Sequence, residues 1–395
     1  MRKLIGFTII IMLTTKVFGQ GIEFFEGNLE SLKSEAQRQD KIIFIDAYTT
    51  WCGPCKWMSR NTFSDEQVGG FYNHNFISYK LDMEKGEGIQ FAKAYEVKAF
   101  PTLLFIDYND NLVHRKIGAL NPEQFLVLGE IALDSERNLG GVIQKYKQGE
   151  RSPAFMRNYL RRLANARIDV KEASDWYFST QSNEELLTKE NFELISLLIK
   201  DPNHVIFKFA LENREAYKEI TGEDQVDKYF FTVFQAYVYK AKKQNKESYD
   251  EAIELMLSSD FDQSDKLMAG IELSDLSKSG EWILFADKLT SYLLTYEKNN
   301  DQLRNRYAWM FYKNSEITDK ELLKKAIQWS KESVELNPNY PNSDTYAALL
   351  YKIGQTEAAL EAAKRAILIA EEGGIDSSAT SALIEKIYTS QPQGN

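Results

Sequence analysis

The feature that most constrains this chain is the pair Cys52 and Cys55, its only cysteines, in the block WCGPCK that follows the apolar run KIIFIDAY (41–48). A short Ile-rich run reads as a strand, and Pro54 fits the first turn of a helix, where its missing N–H would be unpaired anyway. The cysteines are therefore expected to open a helix at the end of a strand. At i and i+3 of a first helical turn their Cα atoms lie within the span a disulfide accepts, so a bond between them can open and close with little backbone movement. Cys52, at the helix N-terminus, gains from unpaired N–H groups and the positive end of the dipole, which favour a thiolate and lower its pKa below that of a free thiol. Cys55, one turn inside, is expected to be shielded and to stay protonated until it attacks.

Other uses of the pair are weaker on physical grounds. A structural staple closing so short a loop removes almost no chain entropy. A zinc site needs about four ligands; there is no second cysteine pair, and His74, His114 and His204 show no ligand spacing. No metal is expected, and these histidines read as surface or packing residues. No Gly-rich phosphate loop or Ser-His-Asp pattern is visible, and no bound cofactor is expected. A formal charge of −10 argues against nucleic acid as a partner, because that affinity rests on Lys and Arg displacing counterions.

The surroundings alternate between helix and strand. Residues 28–39 read as a polar-faced helix, 64–75 as a helix capped by Ser64, 76–83 as a second strand and 88–97 as another helix. TLLFIDYNDNLVHRKIGAL (102–120) reads as two strands turning at Asn109-Asp110-Asn111, and Asn121 with Pro122 starts a closing helix. Three strands with interposed helices and a terminal hairpin make an α/β sandwich.

Residues 22–136 resemble the thioredoxin family at several separate positions: Asp46, the block from Trp51 to Lys56, Lys80, the step Phe100-Pro101-Thr102, and KIGAL (116–120). KWM followed by TFSDEQV (62–68) looks closer to the carboxy-terminal domain of DsbD reductases than to cytosolic thioredoxin. The resemblance implies a thiol-disulfide oxidoreductase in which Cys52 attacks and Cys55 resolves. It implies that Asp46 is a buried carboxylate with a raised pKa that takes the proton of Cys55, tuned by Lys80. It further implies that Pro101 is a cis proline facing the disulfide and offering its peptide step to an extended substrate, beside Phe100 and Thr102, with Gly53 and Pro54 between the sulfurs and Trp51 shielding them. Two positions depart from the family: Phe100 replaces a small or β-branched residue, and Arg60 stands where cytosolic thioredoxins have a helix-kinking proline.

The first nineteen residues have a basic start (Arg2, Lys3), an apolar run from Leu4 to Leu13 and a small residue, Gly19, before Gln20. That is the layout of a signal peptide, and the run is short for a membrane span of about 20 residues. Export is expected, to a bacterial periplasm by the look of the family, with no integral membrane segment after cleavage. The expected domains are thus a signal peptide (1–19), a thioredoxin-like domain (20–138) and a helical domain (139–395).

Beyond residue 139 no period-two run is found, and apolar residues recur at helical spacing; Gly140-Gly141 and QGERSP (148–153) read as the junction. Residues 304–371 resemble the tetratricopeptide repeat, with Ala326 and Ala359 in equivalent places 33 residues apart, Ala363 and Ala366 as further small residues, Gly354 in a turn and Pro338 ending a helix. Expected partners are protein disulfides or dithiols, an upstream thiol reductant and a protein bound by the helical domain. In the alternative reading the protein is a scaffold whose helical repeats do the work beside a passive redox fold.

Overall fold

The computed structural model describes residues 21–390; the segment read as a signal peptide lies outside the described residues. Residues up to Val226 and residues from Asp227 onward form two compact units.

The first unit begins α1 (Leu29–Gln39), β1 (Ile42–Tyr48), α2 (Gly53–Asn61), α3 (Glu66–Asn75), β2 (Phe76–Asp82), α4 (Glu87–Ala94), β3 (Thr102–Ile106), β4 (Leu112–Ile117) and α5 (Pro122–Leu133). The strands form one sheet in the order β2-β1-β3-β4, with β1 and β2 parallel and the other two pairs antiparallel. Helices cover both faces, so the central strands β1 and β3 are buried on both sides, while the edge strands β2 and β4 carry more polar and half-buried residues. Side chains still alternate between two cores. Ile43, Ile45, Leu104 and Ile106 pack with Leu32 of α1 and Phe91 of α4, whereas Phe44, Leu103 and Phe105 pack with Met58 of α2, Tyr72 of α3 and Phe125 of α5. The second core is aromatic: the Tyr72 and Phe125 rings stack at 4.1 Å, and the Tyr72 hydroxyl donates to the Phe125 carbonyl at 2.7 Å.

Local signals place several ends. Asn121 accepts from the Gln124 N–H at 2.9 Å as the cap of α5, ahead of Pro122. The β3–β4 turn is tied by Asp107, whose carboxylate accepts from the Asn109 and Asn111 N–H groups at 2.9 and 2.8 Å. The expected Ser64 cap is corrected: Asp65 caps α3, accepting from Gln67 and Val68 N–H at 3.0 Å each, because the Ser64 hydroxyl donates back to the Arg60 carbonyl at 2.6 Å.

Seven further helices complete this unit: α6 (Leu139–Lys147), α7 (Pro153–Asn165), α8 (Lys171–Ser179), α9 (Asn183–Leu186), α10 (Lys189–Leu198), α11 (Val205–Glu212) and α12 (Arg214–Thr221). Gly140 and Gly141 are a packing device within α6 rather than a break. A Cβ on Gly141 would stand 1.7 Å from the Ser135 carbonyl oxygen, and one on Gly140 would stand 3.0 Å from the Leu112 carbonyl oxygen of β4. Two of the three histidines are packing or capping residues here: His114 Nδ1 accepts from the Leu139 N–H at 3.3 Å, and His204 caps α11 by accepting from the Ile206 N–H at 3.1 Å, whereas His74 is exposed on α3.

The second unit is helical throughout its described residues: α13 (Glu223–Gln244), which starts just before the boundary, α14 (Lys246–Ser258), α15 (Ser264–Ser279), α16 (Trp282–Tyr296), α17 (Asp301–Lys313), α18 (Lys320–Leu336), α19 (Tyr340–Lys352), α20 (Thr356–Gly373) and α21 (Ser378–Ser390). Ala326, Ala359, Ala363 and Ala366 are fully buried, which lets α18 and α20 approach their neighbours closely. Trp329, also buried, donates to the Thr290 hydroxyl at 3.1 Å, satisfying its one polar group. No described helix is long and apolar enough to cross a membrane.

Candidate active site at the Cys52–Cys55 pair

Strand β1 ends at Tyr48, the chain turns through Thr49 and Thr50, and α2 begins at Gly53 with Cys52 as its N-cap. Cys52 and Cys55 are joined by a disulfide with Cα atoms 5.4 Å apart. The turn is held by the Cys52 N–H donating to the Thr49 carbonyl at 3.2 Å. The Cys55 N–H donates to Cys52 Sγ at 3.1 Å, so the sulfur takes the place of an oxygen cap at the positive end of α2. Both sulfur-bearing residues are nearly enclosed, Cys52 at 3% and Cys55 at 4% exposure, while Gly53 and Pro54 between them are exposed.

Asp46 lies on β1 two residues beyond Phe44, and therefore on the same sheet face, the one α2 covers. It is 1% exposed and its Oδ1 has no hydrogen-bond partner. Burial pushes its pKa from the usual 3.8 up to about 7, and the charge of Lys80 pulls it part of the way back. Lys80 stands opposite Asp46 in the β1–β2 register. Its ammonium donates to the Ser59 hydroxyl of α2 at 2.7 Å and lies over the Phe24 and Phe63 rings at 4.9 and 5.3 Å from their centroids. The Thr49 and Ser78 hydroxyl oxygens are likewise buried without a partner.

The Phe100–Pro101 peptide is cis. It precedes β3, where the Pro101 carbonyl accepts from the Gly118 N–H at 2.9 Å and the buried Thr102 hydroxyl donates to the Ala99 carbonyl at 2.7 Å. The Phe100 ring meets the Trp51 indole edge-on, with centroids 5.9 Å apart. Trp51 is 65% exposed, and its Nε1–H is shared between the two Glu84 carboxylate oxygens at 3.0 Å each.

The fold thus brings together Trp51, the two cysteines and Phe100 at one end of the sheet, with Asp46 and Lys80 beneath α2. Ser59 and Glu84 were not singled out in the sequence. Ser59 follows Cys55 by one helical turn, a spacing that could have flagged it; Glu84 is one carboxylate in a polar turn and carries no such signal.

The family described as a thioredoxin-like domain matches residues 29–131. Thioredoxin-1 of Drosophila melanogaster is 36% identical over 73 residues, which are 18% of this chain and 64% of that protein. The thiol:disulfide interchange protein DsbD of Campylobacter jejuni is 33% identical over 81 residues, 20% of this chain and 14% of that protein. The chain spans less than two thirds of the length of either relative. A candidate disulphide-isomerase of Bacteroides thetaiotaomicron, solved in solution, is 40% identical and covers 30% of this chain and 97% of its own, with a TM-score of 0.28.

Proposed function

We propose that this chain, whose residues 29–131 are a thioredoxin-like domain of the thiol-disulfide oxidoreductase kind, is an exported enzyme that reduces or isomerises protein disulfides through Cys52 and Cys55. The observation that carries the proposal is the Cys55 N–H held 3.1 Å from Cys52 Sγ at the head of α2. That donor makes Cys52 the thiol that ionises, and the thiolate is the reactive form. The basic and apolar start of the chain supports export to an oxidising compartment, the bacterial periplasm.

In the reduced pair, the Cys52 thiolate attacks one sulfur of the substrate disulfide. A Cys52–substrate bond forms as the other substrate sulfur leaves as a thiolate. Cys55 then loses its proton to Asp46 and attacks Cys52 Sγ, which closes the pair and releases the second substrate thiol. Two electrons have moved to the substrate, and an upstream thiol reductant returns the pair to the dithiol by the same exchange in reverse. Isomerisation follows when the freed substrate thiolate attacks another disulfide of the substrate and the thiolate expelled there, rather than Cys55, displaces Cys52 from the mixed disulfide, which forms a new substrate disulfide and leaves the pair reduced. A carboxyl that titrates near neutrality suits Asp46 to the proton transfer, with Lys80 tuning it. Trp51, Gly53, Pro54, Phe100 and the Pro101 peptide step line the approach for an extended substrate, with Thr102 buried behind them.

The helical region 139–395 is proposed to bind a partner, with 304–371 read as tetratricopeptide-like. A cavity of about 770 Å³ lined by Asn305 and Trp309 of α17, Tyr340 and Asp344 of α19, and Ala379 of α21 supports that reading. The test of the whole is reduction of insulin with dithiothreitol as the electron source: the chain accelerates it, and a Cys52→Ser variant as active as the wild type overturns the proposal.

A further inference from the structure

The second unit holds a cavity of about 520 Å³ walled by α13, α15, α16 and α17, a size that takes a small organic ligand. Glu297, at the end of α16, is the carboxylate in its wall, and both of its oxygens are taken: Oε1 pairs with Lys266 at 2.8 Å, and Oε2 accepts from the Asn300 side-chain amide at 2.8 Å. Two further cations line the wall, Lys278 of α15 and Arg306 of α17, the latter also bordering the cavity beside Trp309. Among the described residues neither has an ion-pair or hydrogen-bond partner. In a chain of net charge −10, this cavity therefore carries positive charge that nothing in its wall offsets.

Three half-buried tyrosines line the same space, Tyr239 of α13, Tyr292 of α16 and Tyr307 of α17, and none of their hydroxyls bonds to another described residue. Burial, with the Glu297 charge adding to it, raises the pKa of Tyr292 and Tyr307 above the ordinary 10, so both stay protonated and able to donate. The buried Phe285 ring meets Tyr307 edge-on with centroids 5.8 Å apart, which extends the aromatic surface. Gly270 lies in the interior of α15, where a glycine weakens a helix. Its surroundings do not demand one: its φ is not positive, and an added Cβ meets nothing within 4 Å. What the missing side chain does is leave the α15 wall of the cavity open.

We propose that this cavity is a binding site for a small aromatic carboxylate, with the carboxylate held by Arg306, Lys278 and the tyrosine hydroxyls and the ring seated in the space beside Gly270. Free cations and hydroxyl donors select an anion over an amine, because a charge-assisted hydrogen bond is the stronger kind. The Tyr and Phe rings select a flat apolar body over a bare anion, which would leave them facing water. The site is independent of the Cys52–Cys55 chemistry and adds a small-molecule function to the helical region.

The test is calorimetric titration of the full-length chain with naphthoate, with naphthamide, which has the ring without the charge, and with acetate, which has the charge without the ring. Naphthoate is expected to saturate at one per chain and to bind at least about tenfold more tightly than either of the others. Arg306→Gln and Lys278→Gln should each weaken naphthoate by roughly tenfold and leave naphthamide unchanged. Gly270→Leu fills the open wall and abolishes binding, while its melting temperature equals or exceeds that of the wild type, because leucine is the better helix former. Equal affinity for naphthoate and naphthamide, naphthoate binding that survives Gly270→Leu, or no saturation by roughly 10 mM naphthoate overturns the proposal. If Gly270→Leu melts early, Arg306→Gln decides alone, and undiminished naphthoate affinity in that variant overturns the site.

Discussion

Asp46 and Lys80 face each other across the parallel β1–β2 ladder, yet the Lys80 ammonium is taken by the Ser59 hydroxyl at 2.7 Å. Among the described residues no ion pair joins the two. The lysine therefore offsets only part of the cost of burying the carboxyl, which titrates at about 7.

The folded-state pKa of Asp46 exceeds the ordinary 3.8, so the folded protein binds the proton more tightly than the unfolded chain. The stability this gives is complete below about pH 4 and is lost as pH rises through about 7. Asp46→Asn keeps the shape and removes the charge. The variant is expected to match the wild type near pH 4 and to exceed it at pH 8 by about 2–4 kcal/mol, from roughly 1.4 kcal/mol per pKa unit. Urea unfolding of the oxidised proteins at the two pH values measures this, and equal stability at pH 8 speaks against a buried anion.

The same substitution separates stability from catalysis. If Asp46 accepts the proton of Cys55, then Asp46→Asn closes the pair slowly, by a factor on the order of 10². The bend near neutral pH in the rate of mixed-disulfide resolution disappears with it. Charging Cys52 with thionitrobenzoate and following release of the coloured thiol reads that step. An unaltered pH profile in the variant would show that water alone takes the proton.

What could be read from the sequence is what local chemistry determines. The strand before the cysteines, the Asn121–Pro122 helix start and the Asn109–Asn111 turn each follow from a few adjacent residues. The placement of Lys80 against Ser59, and of Glu84 against Trp51, depends on how β2 and its following turn sit beside α2, and a single sequence does not encode that register in any pattern. Gly140-Gly141 shows a different limit. A glycine pair serves equally to break a helix and to let one press against its surroundings, and only the Leu112 carbonyl of β4 and the Ser135 carbonyl of the turn before α6 reveal the second use. The alternating aromatic core was visible only as apolar runs, because a sheet covered on both faces loses the period-two signal.

His114 works in the opposite direction from Asp46. Burial, reinforced by the charges of Arg162 and Lys116, lowers its pKa from 6.5 to about 4, and Nδ1 accepts from the Leu139 N–H, which puts the proton of the neutral ring on Nε2. The unfolded chain takes up a proton first as pH falls, so the stability His114 contributes is complete above about 6.5 and is lost on descending through about 4. His114→Asn keeps an acceptor near Nδ1 and cannot titrate. Relative to that variant the wild type should lose about 2–3 kcal/mol between pH 6.5 and 4. Parallel stability curves for the two proteins would mean that the ring is not buried neutral.

Gly69 and Gly70 are neighbours in α3 with opposite surroundings, which allows the packing of the first unit to be tested by two single-methyl substitutions. A Cβ on Gly69 would lie 2.2 Å from the Gly21 carbonyl oxygen, with the Gly21 Cα at 2.7 Å, so backbone must move to admit it. A Cβ on Gly70 meets nothing within 4 Å. Gly70→Ala is expected to stabilise by about 0.5–1 kcal/mol, the cost of glycine in a helix interior. Gly69→Ala is expected to destabilise by about 1–3 kcal/mol, the usual range for overpacking, and to free the segment around Gly21 that α3 holds in place. Denaturant melts of the two variants, with proteolysis of the amino-terminal segment as a second readout, decide the matter: if both substitutions stabilise alike, the contact between Gly21 and α3 does not exist in solution.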